Sequence, residues 1–195
     1  MADALVLACN EYKPSVIVDV ATLTGAMMIG MRNLVRIFFL PNPRTLILNC
    51  YSAFQYSLFA YVALGDAYSC VFSTSNSFWK ELEGAGVTTG DRFWRMPFDD
   101  VYTQMTSKSV VVDLINSAGR GAGACTAAAF LREFVSPLPA SPDQNSVETV
   151  GQVQYAHIDI AGTMDSPGDS YHVKGMTGRP TRALIEYVRL QSERK

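Results

Sequence analysis

The feature that most constrains the fold is an unbroken apolar run at residues 15–23, SVIVDVATL. It is rich in β-branched residues and carries one charge, Asp19, which is typical of a strand buried on both faces. The run ends in the small and hydroxyl residues ATLTG at 21–25. Because α/β proteins place ligands at the carboxyl ends of such strands, this end is a candidate ligand site. The alternative is a strand that simply needs a turn.

Other periodic segments predict further strands and helices around this strand. Strands are expected at 69–73, 110–114 and 155–161, and helices in the stretch 2–12 that Pro14 ends, at 77–86 after an Asn76 cap, at 124–135 and at 181–189. This order of helices and two-sided strands predicts an α/β fold whose central, mostly parallel or mixed sheet is flanked by helices. The 195 residues are enough for one domain with a substantial core.

Composition narrows the class of protein. The net charge of −2 and the lack of a basic stripe argue against nucleic-acid binding. The four cysteines form no CxxC pair, so free thiols in a reducing compartment are expected. The N-terminus lacks the basic start of a signal peptide. The uncharged stretch 45–65 is long enough for a bilayer, but polar residues such as Asn49 and Gln55 dilute it, so no membrane span is expected.

The residues alone do not compose a complete catalytic constellation. His157 lies in a predicted strand, where a core imidazole with satisfied hydrogen bonds is favoured over a general base. Cys125 begins a predicted helix, where the pKa of a thiol can fall, but its small neighbours favour tight helix packing. The adjacent Asp99 and Asp100 are typical of a helix cap. The sequence contains no HExxH, no GxGxxG after a strand and no GxxxxGK[ST].

Six blocks occur along the chain in the order DVATLTGAM, ALGDAYSCVFS, TGDRFWRMPF, AGACTAAAFLREFV, AHIDIAG and KGMTGRPTRALIEYV. Taken together and in this order, these blocks resemble the leucyl aminopeptidase (cytosol aminopeptidase, M17) family. The resemblance implies part of an α/β catalytic domain that releases N-terminal residues from peptides, with leucine preferred. It also implies two divalent metal ions, Mn or Zn, and a soluble, cytoplasmic homo-hexamer.

The resemblance also implies which residues contact the substrate. Thr22, Leu23 and Gly25 match family positions that line the substrate site, with the backbone at Leu23 and Gly25 holding the peptide. Ala161 and Met164 match positions that form the pocket for the first side chain. An apolar pocket discriminates weakly among aliphatic side chains, so leucine would be a preference rather than a rule.

The chain departs from the family pattern in its metal-binding motifs. The motifs that resemble GKGxTFDSGG and NTDAEGR do not occur in this sequence, and MADAL matches the residues that follow the second of them. No residue here therefore inherits a role as metal ligand or catalytic cation, and the carboxylates Asp3, Asp19 and Asp159 do not compose the cage that two dications need. We expect the chain alone to be inactive. The alternative is a non-catalytic homologue or isoform that acts as an assembly or interaction subunit.

Two segments interrupt the resemblance within the single partial catalytic domain, residues 1–195. Residues 30–61 match nothing in the family pattern, and we expect this stretch to be a non-family insertion outside the core. An insertion of this length inside a compact domain is unusual. Residues 136–154 form a longer loop than usual, which a surface tolerates readily.

Overall fold

The apolar run at the start of the chain forms the central strand of a six-stranded sheet. The computed structural model describes residues 1–23, 35–39, 45–50, 64, 66–116, 118, 122–136, 152–168 and 172–194, with the backbone alone at 35–39 and 45–50. The main sheet contains β1 (Val16–Ala21), β2 (Val35–Phe39), β3 (Thr45–Cys50), β4 (Ser69–Ser73), β5 (Phe93–Arg95) and β6 (Gln154–Asp159). A small hairpin adds β7 (Asp165–Ser166) and β8 (Gly175–Met176).

Strand β1 lies inside the sheet, with a parallel partner on each side. The strand order is β2-β3-β1-β6-β4-β5. β1 runs parallel to both β3 and β6, and β5 runs parallel to β4, whereas β2 against β3 and β4 against β6 are antiparallel. The predicted mixed α/β sheet is therefore confirmed, and β1 needs an apolar sequence because helices cover both of its faces.

Within the part of the chain that the structure describes, five α-helices pack on the two faces of the sheet. They are α1 (Ala2–Leu7), which continues as a π-helical turn over Ala8–Tyr12, α2 (Asn76–Thr89), α3 (Asp100–Thr106), α4 (Gly123–Arg132) and α5 (Thr181–Glu193). Residues of α1 and α4 pack with Ile17 and Tyr155 in one core, and residues of α2 and α5 pack with Val18 and Ile158 in the other. Within the described residues, no helix is both long and apolar enough to cross a membrane.

The range 30–61 supplies two strands to this sheet. β3 pairs with β1 along its whole length, from Val16 opposite Thr45 to Ala21 opposite Cys50, and β2 extends the sheet beyond it. The expectation that this segment lies outside the core is therefore wrong for these two strands. That it is an insertion foreign to the family stays a prediction. Most of the predicted loop at 136–154 lies outside the described residues.

Two helix caps and one predicted strand can be compared directly with the structure. The Ser75 hydroxyl, not Asn76, accepts the capping hydrogen bond from the Phe78 amide, so the predicted cap is wrong by one position. Asp99 caps α3 as predicted, by accepting from the Val101 amide. The predicted strand at 110–114 is wrong, because the valines that suggested it pair with no strand among the described residues and lie exposed.

Gly86 allows α2 to approach the chain segment that follows it. A Cβ atom built on Gly86 would lie 2.5 Å from the carbonyl oxygen of Asp91 and 2.7 Å from the ring of Phe93. Gly84, two residues earlier on the same helix, is exposed, and a Cβ atom there would have nothing within 4 Å. The two glycines therefore differ in packing while sharing one helix.

We predict opposite effects of alanine at these two glycines. Gly86→Ala should lower the free energy of unfolding by about 1–3 kcal/mol, because the new methyl group collides with backbone and ring atoms. Gly84→Ala should raise it by about 0.5–1 kcal/mol, because alanine favours an exposed helix interior. Urea denaturation of both variants measures the two effects. Equal effects at both positions would contradict the packing assigned to Gly86.

Candidate functional site

The candidate site lies where the parallel strands β1 and β6 end side by side. The two strands pair in register from Val16 opposite Gln154 to Ala21 opposite Asp159. The Ile160 amide then donates to the Ala21 carbonyl at 2.9 Å, which extends the pairing beyond the last residue of β6. Because parallel strands share their carboxyl edge, the segments that follow β1 and β6 begin next to each other.

These two segments carry four of the five predicted substrate-binding residues. Thr22 and Leu23 follow β1, whereas Ala161 and Met164 lie in the segment that follows β6, and all four are half-buried. Leu23 packs against the core that contains Ile17, and Met164 packs against the other core. Apolar side chains therefore flank this edge of the sheet from both faces. Gly25 lies outside the described residues.

The turn after β6 is fixed by several hydrogen bonds. The Asp159 carboxylate accepts from the Ala161 amide at 3.0 Å, and the Met164 amide donates to the Ile160 carbonyl at 2.9 Å. The buried Thr163 hydroxyl lies 2.7 Å from the Ser69 hydroxyl of β4. The Thr177 amide donates to the Met164 carbonyl at 3.0 Å, next to the β7–β8 hairpin. These contacts hold Ala161 and Met164 on a turn tied to two neighbouring elements.

A buried polar network connects the two strands just before their ends. Asp19 of β1 and His157 of β6 are opposite each other in the register, and both are 0% exposed. The His157 Nδ1 atom lies 2.5 Å from Asp19 Oδ1, and the Tyr155 hydroxyl donates to Asp19 Oδ2 at 2.6 Å. Because a carboxylate only accepts hydrogen bonds, Nδ1 of His157 is the donor.

The carboxylate of Asp19 decides the direction in which the pKa of His157 moves. Burial acts to lower this pKa, but the charge and hydrogen bond of Asp19, together with the charge of Asp159, outweigh burial and raise it above the ordinary value of 6.5. The interpretation of His157 as a satisfied core imidazole is confirmed for its burial and for Nδ1 and is wrong for the other ring nitrogen. Within the described part of the chain, its other ring nitrogen, Nε2, is buried and has no hydrogen-bond partner.

Two buried cysteines lie in the same core and are not activated thiols. Burial raises the pKa of Cys125, against a hydrogen bond from Tyr102 that acts to lower it. Burial raises the pKa of Cys70 to about 12, with added repulsion from Asp159 and Cys125. Both thiols are therefore protonated at neutral pH and behave as small apolar groups. The tight packing predicted for Cys125 is confirmed by its place in the core.

The carboxylates at this edge do not fit a two-metal centre. Asp19 is occupied by His157 and Tyr155, and Asp159 is engaged by the Ala161 amide. Across the described residues, no group of three or more histidine, cysteine, aspartate and glutamate side chains is arranged to hold a metal ion. A divalent cation needs several oxygen ligands at once, so these residues supply no metal site of their own.

Sequence reasoning missed the pairing of Asp19 with His157 and Tyr155. A signal was present, because each of two apolar strands carries polar residues at its centre, in VDV and in YAHID. A buried charge needs a partner, so an aspartate inside one strand and a histidine inside another suggest each other. The pairing itself depends on the strand register, which only the structure supplies.

A comparison with protein families matches this chain to the catalytic domain of the cytosol aminopeptidase family over residues 1–49 and 57–185. The chain belongs to the cytosol aminopeptidase family. The match includes most of the sequence that carries β2 and β3, and its two parts are separated by residues 50–56. The resemblance inferred from the sequence blocks is therefore confirmed.

Individual relatives support the same family and show how much of them this chain represents. The chain is 38% identical to a cytosol aminopeptidase of Dictyostelium discoideum over 190 residues, which are 97% of this chain and 27% of that protein. A solved mutant of tomato leucine aminopeptidase matches 96% of this chain and 27% of its own, with 30% identity and a TM-score of 0.64. A cytosol aminopeptidase from Coxiella burnetii matches 97% of this chain and 31% of its own, with 28% identity and a TM-score of 0.64. The chain thus spans less than a third of the length of these relatives.

We predict that the stability conferred by the Asp19–His157 pair falls as the pH rises. A histidine whose pKa is raised in the folded state stabilises the fold fully at pH values below the pKa of the unfolded state, 6.5. That stabilisation is lost as the pH rises through the pKa of the folded state. In Asp19→Asn, burial would be opposed only by the charge of Asp159, so the pKa of His157 should lie below its value in the wild type and this contribution should shrink. The free energy of unfolding of the wild type minus that of Asp19→Asn should therefore decrease from about pH 5 to about pH 8.

Urea denaturation at a series of pH values measures this difference. Phe72→Leu is the matched control, because its ring lies next to His157, with 5.8 Å between ring centroids, and carries no charge. The difference in free energy of unfolding between the wild type and Phe72→Leu should be the same at every pH. A constant offset for Asp19→Asn as well would show that the pair is not ionised in the folded protein.

Proposed function

We propose that this chain forms the peptide-binding part of an aminopeptidase catalytic domain, which releases N-terminal residues from peptides with leucine preferred. The observation that carries the proposal is the parallel pairing of β1 with β6, which brings the segment with Thr22 and Leu23 beside the segment with Ala161 and Met164. Family membership supplies the reaction class, and the geometry supports a substrate site at this edge.

Each segment has a distinct task in this proposal. The backbone at Leu23 and Gly25 holds the peptide, while Ala161 and Met164 line the pocket for its first side chain. The small Ala161 leaves room for that side chain, and the half-buried Met164 supplies a flexible apolar wall. The bonds from Asp159, Ser69 and Thr177 keep this wall in place, and a fixed wall lowers the entropic cost of orienting a substrate.

The metal ions belong to the complete enzyme in this proposal. Two divalent ions, Mn or Zn, would polarise the scissile carbonyl and activate water. The described residues do not fit such ions, so no step of the reaction is assigned to a metal held by this chain. The complete enzyme would act on peptides in the cytoplasm as a homo-hexamer, in line with the naming of its relatives as cytosol aminopeptidases.

We predict that the isolated chain does not hydrolyse aminoacyl substrates. The carboxylate cage and the catalytic cations of the family pattern do not occur in its sequence. The purified chain with excess Mn²⁺ or Zn²⁺ should release no more product from leucyl p-nitroanilide than the metal alone. Clear turnover would contradict this prediction. It would mean that residues without an assigned metal-binding role hold the metal ions.

A chimera tests whether the chain is part of an enzyme. In this chimera, residues 1–195 replace the aligned region of the Dictyostelium discoideum relative, which keeps its own metal-binding motifs. Metal-dependent release of leucine by the chimera is expected. A chimera that assembles like its parent but has no activity would favour the alternative of a non-catalytic assembly subunit.

Within the chimera, Ala161→Phe tests the pocket. The ring should fill the space for the first side chain and lower kcat/KM for leucyl substrates more than for glycyl substrates, which need no pocket. Because one methylene in such a pocket is worth roughly 1–3 kcal/mol, the ratio of the two should fall at least about tenfold. Ala127→Phe, at a half-buried alanine of α4, is the matched control and should leave the ratio unchanged. An equal loss for both substrates would make Ala161 a packing residue.

A further inference from the structure

We propose that Asp19, His157 and Tyr155 form a positioning device that fixes the carboxyl ends of β1 and β6 relative to each other. The three residues, called the strand clamp below, do not contact the substrate themselves. They would act through the residues that follow them on each strand. The effect of this strand position on peptide binding rests on the proposed function. The strand position itself can be tested without that function.

The geometry of the strand clamp opposes sliding of one strand along the other. Asp19 binds its opposite residue His157 through Oδ1 and binds Tyr155, two positions earlier on β6, through Oδ2. One carboxylate thus contacts two successive inward positions of the neighbouring strand. A shift by one residue would turn both partners to the other face of the sheet, and a shift by two would lose one of them.

The surroundings of the strand clamp are apolar. We infer that its hydrogen bonds fix the relative position of the two strands more than they stabilise the fold. Ile17, Phe72 and Phe98 belong to the same core. In such a site, well-packed apolar residues often stabilise a fold as well as a buried ion pair does, because desolvation offsets the attraction between the charges. Apolar contacts, however, lack the directionality that hydrogen bonds of 2.5 and 2.6 Å impose on the two strands.

A short chain of contacts leads from the strand clamp to the candidate site. Asp159 lies two residues beyond His157 on the same strand, and its carboxylate holds the Ala161 amide. On β1, Ala21 lies two residues beyond Asp19 and accepts from the Ile160 amide. A displacement of β6 along β1 would therefore move Ala161 relative to Leu23. Misplacement of a substrate contact by about 1 Å can cost on the order of 100-fold in rate.

Amide hydrogen exchange, measured by NMR on this chain, tests the strand clamp without any need for activity. In the triple variant Asp19→Leu, His157→Leu and Tyr155→Phe, apolar groups replace the polar network. The Ile160 and Ala161 amides should exchange about tenfold faster than in the wild type, because their strand ends open more often. The Trp79 and Leu184 amides, in α2 and α5, should keep their wild-type rates.

Two further variants separate positioning from general stability. Asp19→Asn keeps the shape of the side chain but replaces one acceptor oxygen with an NH2 donor, so it keeps only one of the two accepted hydrogen bonds and should accelerate the exchange of Ile160 and Ala161 less than the triple variant does. Ile158 directly follows His157 on β6 but belongs to the opposite core, so Ile158→Val should weaken the fold without a selective effect on the Ile160 and Ala161 amides. If the triple variant does not fold, Tyr155→Phe alone removes one bond and should still accelerate these two amides selectively.

The outcomes are distinct from those of the activity experiments. Wild-type exchange of Ile160 and Ala161 in the folded triple variant, or in Tyr155→Phe, would overturn the strand clamp. Equal acceleration at Trp79 and Leu184 would also overturn it, because it would reveal a loss of global stability only. An inactive chimera would contradict the proposed function and leave this result unaffected.

Discussion

The pairing of β1 with β6 is the contact on which the rest of the structure depends. It joins residues that are far apart in the sequence, since Asp19 and His157 are separated by 138 positions. A strand from the start of the chain thus lies beside a strand from its last quarter. Both cores contain side chains from these two strands, and helices from both parts of the chain cover them. Without this pairing, neither the two-sided burial of β1 nor the common edge of the candidate site would exist.

The chemistry of the sheet changes along these two strands. On the face of α2 and α5, apolar side chains fill the core along the length of both strands. Towards their carboxyl ends, on the face of α1 and α4, charged and hydroxyl groups become frequent and nearly every one has a defined partner. Buried polar groups are costly unless they are paired, so this edge is built to hold its groups in fixed directions.

The sequence predicted much of the fold because its strands and helices are locally consistent. The apolar run of β1, the strand SCVFS and the helix of Asn76–Thr89 each follow from a simple pattern. The three valines at 110–112 show the limit of such reasoning, because β-branched residues need a partner strand and the described part of the chain offers them none. The strand pattern predicted a ligand site at 21–25, whereas the individual roles of Thr22, Leu23, Ala161 and Met164 came from family resemblance. The partners of Asp19 depend on register between distant strands, which no local rule provides.

The long separation between β1 and β6 also has a consequence for how the protein reaches its native state. Closing a long loop costs conformational entropy before any contact compensates for it, and folds dominated by distant contacts form slowly for this reason. During synthesis, β1 leaves the ribosome long before β6 does, and in that interval the apolar run of 16–21 lacks one of its two neighbours. The nascent chain thus exposes an unpaired strand edge, so the same run that organises the finished sheet can pair with another chain while its own is incomplete.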